Sequence, residues 1–339
     1  MTDLPELDVV VLAWGDEPYL LECVQAVLDS DGVRVHVVLV DNGADPAAVA
    51  AAADLDGVTL LVPGRNTGFA GGCNLGVAAS AAPLLGLVNS DCLVAPDTLA
   101  ALVTEARRPG TGPVMASVRM AEEPAVINSA GNPVHVLGVS WAGRLGETEE
   151  RTEPYDVTAA SGACLVLARE LWNRLGGFDE EYFAYVEDTE LSLRARRTGR
   201  QPRCVPTAVA RHHYEFSRNS MKMYLLERNR LMLLATVWSG RALVLLAPLL
   251  LVLELGVLAQ ALAQGWAGGK VRGWWWLLRH WRHVRARRTL LQAEAVVTDA
   301  EWMQALTATL DPQVIGSATA TRAVNVALGA WWRLVRPLL

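Results

Sequence analysis

The first 110 residues alternate β-branched runs with stretches of helical spacing, and that alternation restricts the fold more than any other feature of the chain. "VVVLAW" (9–14), "VRVHVVLVDNG" (33–43), "VTLLVPG" (58–64) and "LLGLVNSD" (84–91) read as strands. Between them "PYLLECVQAVLDS" (18–30), "PAAVAAAADL" (46–55) and "GCNLGVAASA" (72–81) carry helical apolar spacing. Strands alternating with helices imply βαβ units and a largely parallel sheet. Ligands of such sheets bind outside the carboxyl ends of the strands. Here those ends carry Ala13 and Trp14, then Asp41 and Asn42, then the "RNTGFAGG" loop, then Asn89, Ser90 and Asp91.

Each cluster has a chemical use and a plainer one. A carboxylate in "VDNG" (40–43) can accept a hydrogen bond from a base or ribose, and the same residues make a good turn. In "RNTGFAGGCNLG" (65–76) the glycines allow close backbone approach, and a helix is expected to start near Gly72. Free N–H groups at a helix start attract phosphate; a structural turn is the alternative. A dinucleotide fingerprint would follow strand one. These glycines follow strand three, so a nicotinamide oxidoreductase fits poorly. Asp91 in "LVNSDCLV" (87–94) can hold a divalent cation on a diphosphate, since hard cations want oxygen ligands, or it can simply end a strand. His212 and His213, in "ARHHYEFSRN" (210–219), become metal candidates only if the fold brings them to Asp91.

From 113 to 160 the pattern is irregular. Residues 160–199 then read as strand, helix, loop and helix, with Gly176 and Gly199 as helix stops. Within them "YFAYVEDTEL" (182–191) concentrates Glu187, Asp188 and Glu190 beside Phe178, Tyr182, Phe183 and Tyr185. "EDTELSLRARRTG" looks like a helix N-terminus, where the dipole favours an ionised carboxylate. The aromatics offer stacking faces for a ring-shaped ligand, or else core.

From 222 onward the character changes. The 22 residues from Ala242 to Ala263 contain one charge, Glu254, and a bilayer span needs about 20 predominantly apolar residues. Between Glu254 and Glu294 there is no acid, while Lys270, Arg272, Arg279, Arg282, Arg285, Arg287 and Arg288 fall there among tryptophans. Amphipathic rings and cations suit the headgroup zone, so membrane association is expected, with spanning and dipping both open. The net charge of −6 argues against a nucleic-acid partner. Five widely spaced cysteines with no CxxC pair read as reduced thiols. The acidic start "MTDLPELD" lacks an apolar h-region, so no signal peptide is expected.

Taken in order, these motifs resemble family 2 glycosyltransferases of the GT-A fold, nearest the rhamnosyltransferase-like branch. The resemblance covers roughly residues 8–235 and rests on "VVLAWGDEPYLLECVQAVL", "VLVDNGADP", "RNTGFAGGCNLGV", "LLGLVNSDCLV", "SGACLVLARELWNRLGGFDEEYFAYVEDTELSLRARRTG" and "VARHHYEFSRN". It implies a mixed, mainly parallel α/β sheet flanked by helices, with a catalytic domain over 1–225, membrane-associated helices over 226–290 and a helical region over 291–339. It implies an inverting transfer of rhamnose or another hexose from a nucleotide-diphosphate sugar to a cell-envelope glycan or polyprenyl-linked acceptor, at the cytoplasmic face of the membrane. Ala13, Trp14, Asp41, Asn42, Asn66, Gly68, Phe69, Asn74, Asn89 and Ser90 would line the donor. Asp91 and His212 would hold Mn2+ or Mg2+. Asp188 would be the general base, with Gly162, Phe183, Tyr185 and Glu187 on the acceptor side. Two motifs depart from the family pattern. Asn89 replaces the first acid of the DxD-type motif, and Trp14-Gly15 replaces Tyr-Asn. A catalytically degenerate nucleotide-sugar binder is the alternative. Whether the chain forms an oligomer is left open.

Overall fold

The computed structural model describes residues 4–213, 219–312 and 318–339. Residues 214–218 of the "ARHHYEFSRN" segment and the first three residues of "MTDLPELD" lie outside the described residues. Two compact units emerge. One takes in residues 1–132, 142–195 and 200–216, the other residues 133–141, 196–199 and 217–339.

The first unit is built on a sheet of β1 (Glu6–Gly15), β2 (Arg34–Ala44), β3 (Val58–Leu61), β4 (Leu84–Asn89), β5 (Cys92–Val94), β6 (Thr111–Met120), β7 (Ile127–Ser129), β8 (Tyr155–Asp156), β9 (Cys164–Ala168) and β10 (Gln201–His212). The strand order is β3-β2-β1-β4-β9-β6-β10-β5, with β7 beside β6 and β8 beside β10. The four early strands pair in parallel, as do β6 and β10. β9 runs antiparallel to both neighbours, β4 and β6, so the sheet is mixed at its centre. That reversal follows from a return to the sheet out of the irregular 121–160 stretch rather than through a βαβ crossover.

Helices α1 (Leu20–Leu28), α2 (Pro46–Ala53) and α4 (Thr98–Ala106) are built between these strands, as are α3 (Gly68–Ala78), α5 (Arg169–Leu175) and α6 (Glu187–Arg197). Side chains alternate faces along a strand, so β1 sends Val9 and Val11 into one core cluster with Leu20, Val24 and Leu102, and Val10 into another with Cys73, Leu87 and Trp172. The α2 start is fixed locally. Asp45 accepts from the Ala47 and Ala48 amides, and Pro46 needs no partner for its missing N–H. α3 begins four residues earlier than the glycine spacing suggests. Its backbone at 72 and 76 approaches β1 so closely that a Cβ at Gly72 would collide with Leu12, and one at Gly76 would stand 2.5 Å from Val10. The glycines serve helix–strand packing inside the helix instead of marking its start.

The second unit contains α7 (Ser220–Val237), α8 (Gly240–Ala263), α9 (Ala267–Arg279), α10 (Trp281–Ala293), the short α11 (Asp299–Trp302) and α12 (Ala318–Val335). Asn219 and Ser239 cap α7 and α8. Trp238 is fully buried, donates to the Val136 carbonyl and meets Trp302 edge-on at 5.4 Å. α8 is long and apolar enough to cross a membrane, and little of it is covered. Glu254, the charge that complicates this helix, is tied on both sides. Arg230 of α7 reaches it, Lys270 of α9 lies 2.7 Å away, and the Trp274 indole donates to it at 2.8 Å. Glu227 completes the network, 2.9 Å from Arg230 and 2.5 Å from Lys270.

Candidate active site

The carboxyl ends of β1, β2 and β4 lie side by side and carry most of the residues singled out above. Trp14 is exposed at the end of β1, where Gly15, with φ of +73°, interrupts the register with β2. At the end of β2 the Asp41 carboxylate accepts from the Gly43 and Ala44 amides, both at 3.0 Å, and so forms the turn itself. Asn42 is buried, and its amide is spent on the neighbouring loop. It accepts from the Thr67 amide at 2.7 Å and hydroxyl at 2.9 Å, and donates to Asn66 and to the Gly68 carbonyl. Asn66 also accepts from the Gly68 amide at 2.8 Å. Asn42 and Asn66 therefore shape the loop from within. Asn74 does the same further along. It accepts from the Phe178 amide and donates to the Phe178 carbonyl, both at 3.0 Å, joining α3 to the "GGFDE" turn.

At the end of β4 the Asn89 backbone N–H donates at 2.9 Å to the carbonyl of Ala163, the residue just ahead of β9. Ser90 and Asp91 follow, both half-buried. Antiparallel pairing of β5 with β10 sets Cys92 opposite His212, the last residue of β10. The Asp91 carboxylate and the His212 Nε2 consequently meet at 3.0 Å, and His212 Nδ1 reaches the Asn128 side chain at 3.2 Å. His213 turns elsewhere. Its ring stacks on Tyr19 at 3.6 Å. That stack sits beside Glu17, which accepts from the Tyr19 amide at 3.1 Å. Burial raises the Glu17 carboxyl, and the nearby Asp91 charge adds to it.

A carboxylate oxygen and an imidazole nitrogen are both good donors to Mn2+, and an outer partner such as Asn128 orients a ligating histidine. Among the described residues no group of three or more His, Cys, Asp or Glu side chains forms a closed cation cage. Asp91 and His212 thus supply two donors that would suit a divalent cation.

The acid-rich segment meets the residues just ahead of β9. α6 starts at Glu187, and Asp188 in its first turn accepts from the Gly162 amide at 2.9 Å and from the Thr189 amide at 2.6 Å. Gly162 is closely flanked, since a Cβ there would stand 3.4 Å from Phe69 and 3.5 Å from the Asp188 Cβ. Burial pushes the Asp188 carboxyl above its usual range, against the pull of those two amides. The helix start alone predicts the opposite direction; desolvation outweighs it. Asp188 and the strand end that leads to Asp91 are tied to adjacent residues just ahead of β9, because Gly162 donates to Asp188 and the next residue, Ala163, accepts from Asn89, two positions before Asp91.

The aromatics divide. Phe178 and Tyr182 are core, with Phe178 edge-on to Trp172 at 5.1 Å, so they offer no face to a ligand. Phe183 and Tyr185 are exposed. Four non-glycine residues among those described have positive φ, and three of them are Phe183, Tyr185 and Val186. Such backbone strain persists only where surrounding structure imposes it, and it clusters at functional sites. Here the Ala70 amide donates to the Phe183 carbonyl at 3.1 Å, and Gly68, with φ of +73°, leaves no room for a side chain against that carbonyl. Glu187 is buried with its Oε2 unpartnered, and burial, reinforced by Asp188, drives its carboxyl well above the usual range. Behind the loop, the buried Arg194 joins Glu190 at 2.7 Å to the Leu175 and Gly177 carbonyls.

Sequence reasoning missed Asn128, Tyr19 and Thr189, and Glu17 as a neighbour of Asp91. Thr189, adjacent to Asp188, was within reach of a capping argument. Asn128 lies in the stretch with no periodicity, and nothing in sequence ties it to His212.

Residues 5–233 match the sequence model of the family described as glycosyltransferase-like family 2. Over 240 residues the chain is 31% identical to an N-acetylglucosaminyl-diphospho-decaprenol L-rhamnosyltransferase of Mycobacterium tuberculosis, spanning 63% of this chain and 77% of that protein. Among solved structures it is similar in fold to GalNAc-T7 crystallised with UDP, GalNAc and Mn2+, with a TM-score of 0.59 and 18% identity over 71% of this chain and 49% of that one. It is also similar in fold to the mannosyltransferase PcManGT from Pyrobaculum calidifontis in complex with GDP-Man and Mn2+, with a TM-score of 0.53 and 20% identity over 86% of each chain.

Proposed function

The chain belongs to glycosyltransferase-like family 2, and from that premise we propose an inverting transfer of a hexose, rhamnose foremost, from a nucleoside-diphosphate donor to a hydroxyl of a polyprenyl-diphosphate-linked glycan. The observation that supports the proposal is that adjacent residues just ahead of β9 hold both regions, Gly162 donating to Asp188 and Ala163 accepting from Asn89, two positions before Asp91. A base beside the leaving diphosphate would repel it, so inversion calls for two separate acidic positions. Relatives supply the substrate class. The mycobacterial relative is named for a decaprenyl-diphosphate acceptor and a rhamnosyl product, and both structural neighbours hold a nucleotide with Mn2+.

In this reading Asp188 takes the proton of the acceptor hydroxyl as its oxygen attacks the anomeric carbon. The new C–O bond forms on the face opposite the breaking one, and the nucleoside diphosphate leaves with the bonding electron pair. Asp91 and His212 would hold a divalent cation, which would supply positive charge to that leaving group. The Gly162 amide orients Asp188, and the exposed Phe183 and Tyr185 rings offer apolar faces to a sugar. The strand-end loop at Arg65–Gly68 and Trp14 border the donor. We assign the enzyme to the cytoplasmic membrane surface, where a polyprenyl-linked acceptor is found.

A screen of UDP-, GDP- and dTDP-sugars by thermal shift, with and without Mn2+, tests the donor half. Stabilisation by a donor together with Mn2+ is expected. Transfer from that donor to a polyprenyl-diphosphate sugar, with inverted anomeric configuration by NMR, tests the rest. A product of retained configuration would remove the mechanism.

A further inference from the structure

We propose that α8 does not cross the bilayer but lies along it, as the apolar face of a monotopic surface completed by α9 and the start of α10; the proposal rests on the membrane association inferred above. Length and composition allow α8 to span. Its packing argues otherwise. Glu254 lies nine residues from the C-terminal end of α8, about 13 Å along its axis. In a transverse helix that depth is well inside the hydrocarbon. Glu254 is bonded to Arg230, Lys270 and Trp274, and Glu227 bridges the two cations. A crossing α8 would therefore draw the middles of α7 and α9 to the same depth. α7 also carries Lys222 and Arg228, α9 also carries Arg272 and Arg279, and α9 has only 13 residues, too few to span. Charges inside a membrane are costly and face a bundle interior or a water-filled path. Helices this short and this cationic do not suit the hydrocarbon.

The exposed stripe of α8 beside Glu254 has the opposite character. Val244, Pro248, Leu251, Leu255 and Leu262 are all exposed and recur at helical spacing along nearly the whole helix. α9 and α10 add exposed Trp275, Leu278 and Trp281, with Arg279, Arg282 and Arg285 exposed beside them. No acid occurs between Glu254 and Glu294. Apolar side chains with tryptophans and arginines at their margin match the acyl–headgroup boundary of an anionic leaflet, which attracts cations. This charge match commits the surface to lipid rather than to a second copy of the chain.

The test uses the full chain with single added cysteines, Arg241→Cys at one end of α8 or Gln264→Cys at the other. Both positions are exposed, and all five native cysteines are buried, so labelling reports the added thiols. Inside-out and right-side-out vesicles from expressing cells are treated with a membrane-impermeant maleimide. Both positions should label in inside-out vesicles, at least tenfold more than in right-side-out ones. Labelling of the two ends from opposite faces overturns the proposal and leaves membrane association standing. Recovery of the chain in the soluble fraction, or as a soluble dimer that ignores vesicles of phosphatidylglycerol and phosphatidylcholine, overturns both.

Discussion

Asp91 and His212 stand 121 positions apart in sequence and 3.0 Å apart in space. The pairing is a property of the sheet. β5 and β10 run antiparallel, Cys92 lies opposite His212, and Asp91 immediately precedes Cys92. Asn128 then holds the other imidazole nitrogen. Removing Asn128 tests this arrangement without touching either proposed ligand. Asn128→Ala should weaken Mn2+-dependent donor binding by roughly 10–100-fold, the usual loss on removing an outer partner of a ligating histidine. Calorimetric titration of donor with and without Mn2+ measures it. Unchanged affinity would separate His212 from the cation.

Asp188→Asn keeps size and the ability to accept from the Gly162 amide. It should fold with an unchanged circular dichroism spectrum and bind donor, while kcat falls by about 10²–10⁴-fold, the range for loss of a general base. Turnover at the original rate removes Asp188 from the base role.

The direction of the Asp188 shift also fixes a pH dependence. In the proposed base role Asp188 works ionised, and burial raises its carboxyl above the ordinary value. The acid limb of kcat/KM should therefore lie above the ordinary aspartate range, about 3.9. Activity is lost as pH falls through the raised value. A limb at or below the ordinary value contradicts the assignment.

Glu187 bears on stability. Its folded-state carboxyl is raised by burial, so the folded chain binds more protons than the unfolded one, and stability falls as pH climbs past the unfolded value. Glu187→Gln removes the charge and keeps the shape. Its melting temperature should exceed that of the parent at pH 7, and the difference should shrink at pH 4. A lower melting temperature at pH 7 would show that the charge is compensated.

In the helical unit the sign is reversed. Burial acts to raise the Glu227 carboxyl, but Arg230 and Lys270 outweigh it and hold it at about 2. That stabilisation is present above the unfolded value and is lost as pH falls from about 4.5 towards 2. Glu227→Ala leaves two buried cations short of a partner and should cost roughly 3–5 kcal/mol. Urea unfolding at pH 7 measures the loss, and a change below 1 kcal/mol would sink the network as a stabilising element.

Much of the first unit was legible because its signals are local. Val9 to Val11, Val37 to Val40 and Leu84 to Val88 declare strands by side-chain type alone, and each lies where the pattern places it. The family motifs likewise carried the membership and the enzyme class. Less legible was the use made of each polar group. Asn42, Asn66 and Asn74 look like ligand contacts in sequence, and in the structure the Asn42 and Asn74 amides and the Asn66 side-chain oxygen bond to neighbouring parts of the chain. An amide has the same chemistry facing either way, so spacing does not reveal which partner it finds.

Sequence by itself determined the βαβ start, the acids and histidine available for chemistry, and the apolar and cationic character of the later helices. Those properties follow from residue type and short-range periodicity. Tertiary structure decided which of them meet. The antiparallel β9 brings Gly162 to Asp188 and Ala163 to Asn89, β10 carries His212 back to Asp91, and α7 and α9 surround Glu254 with cations. Such meetings depend on strand order and helix packing, which bring together residues whose separation along the chain leaves no mark on local pattern.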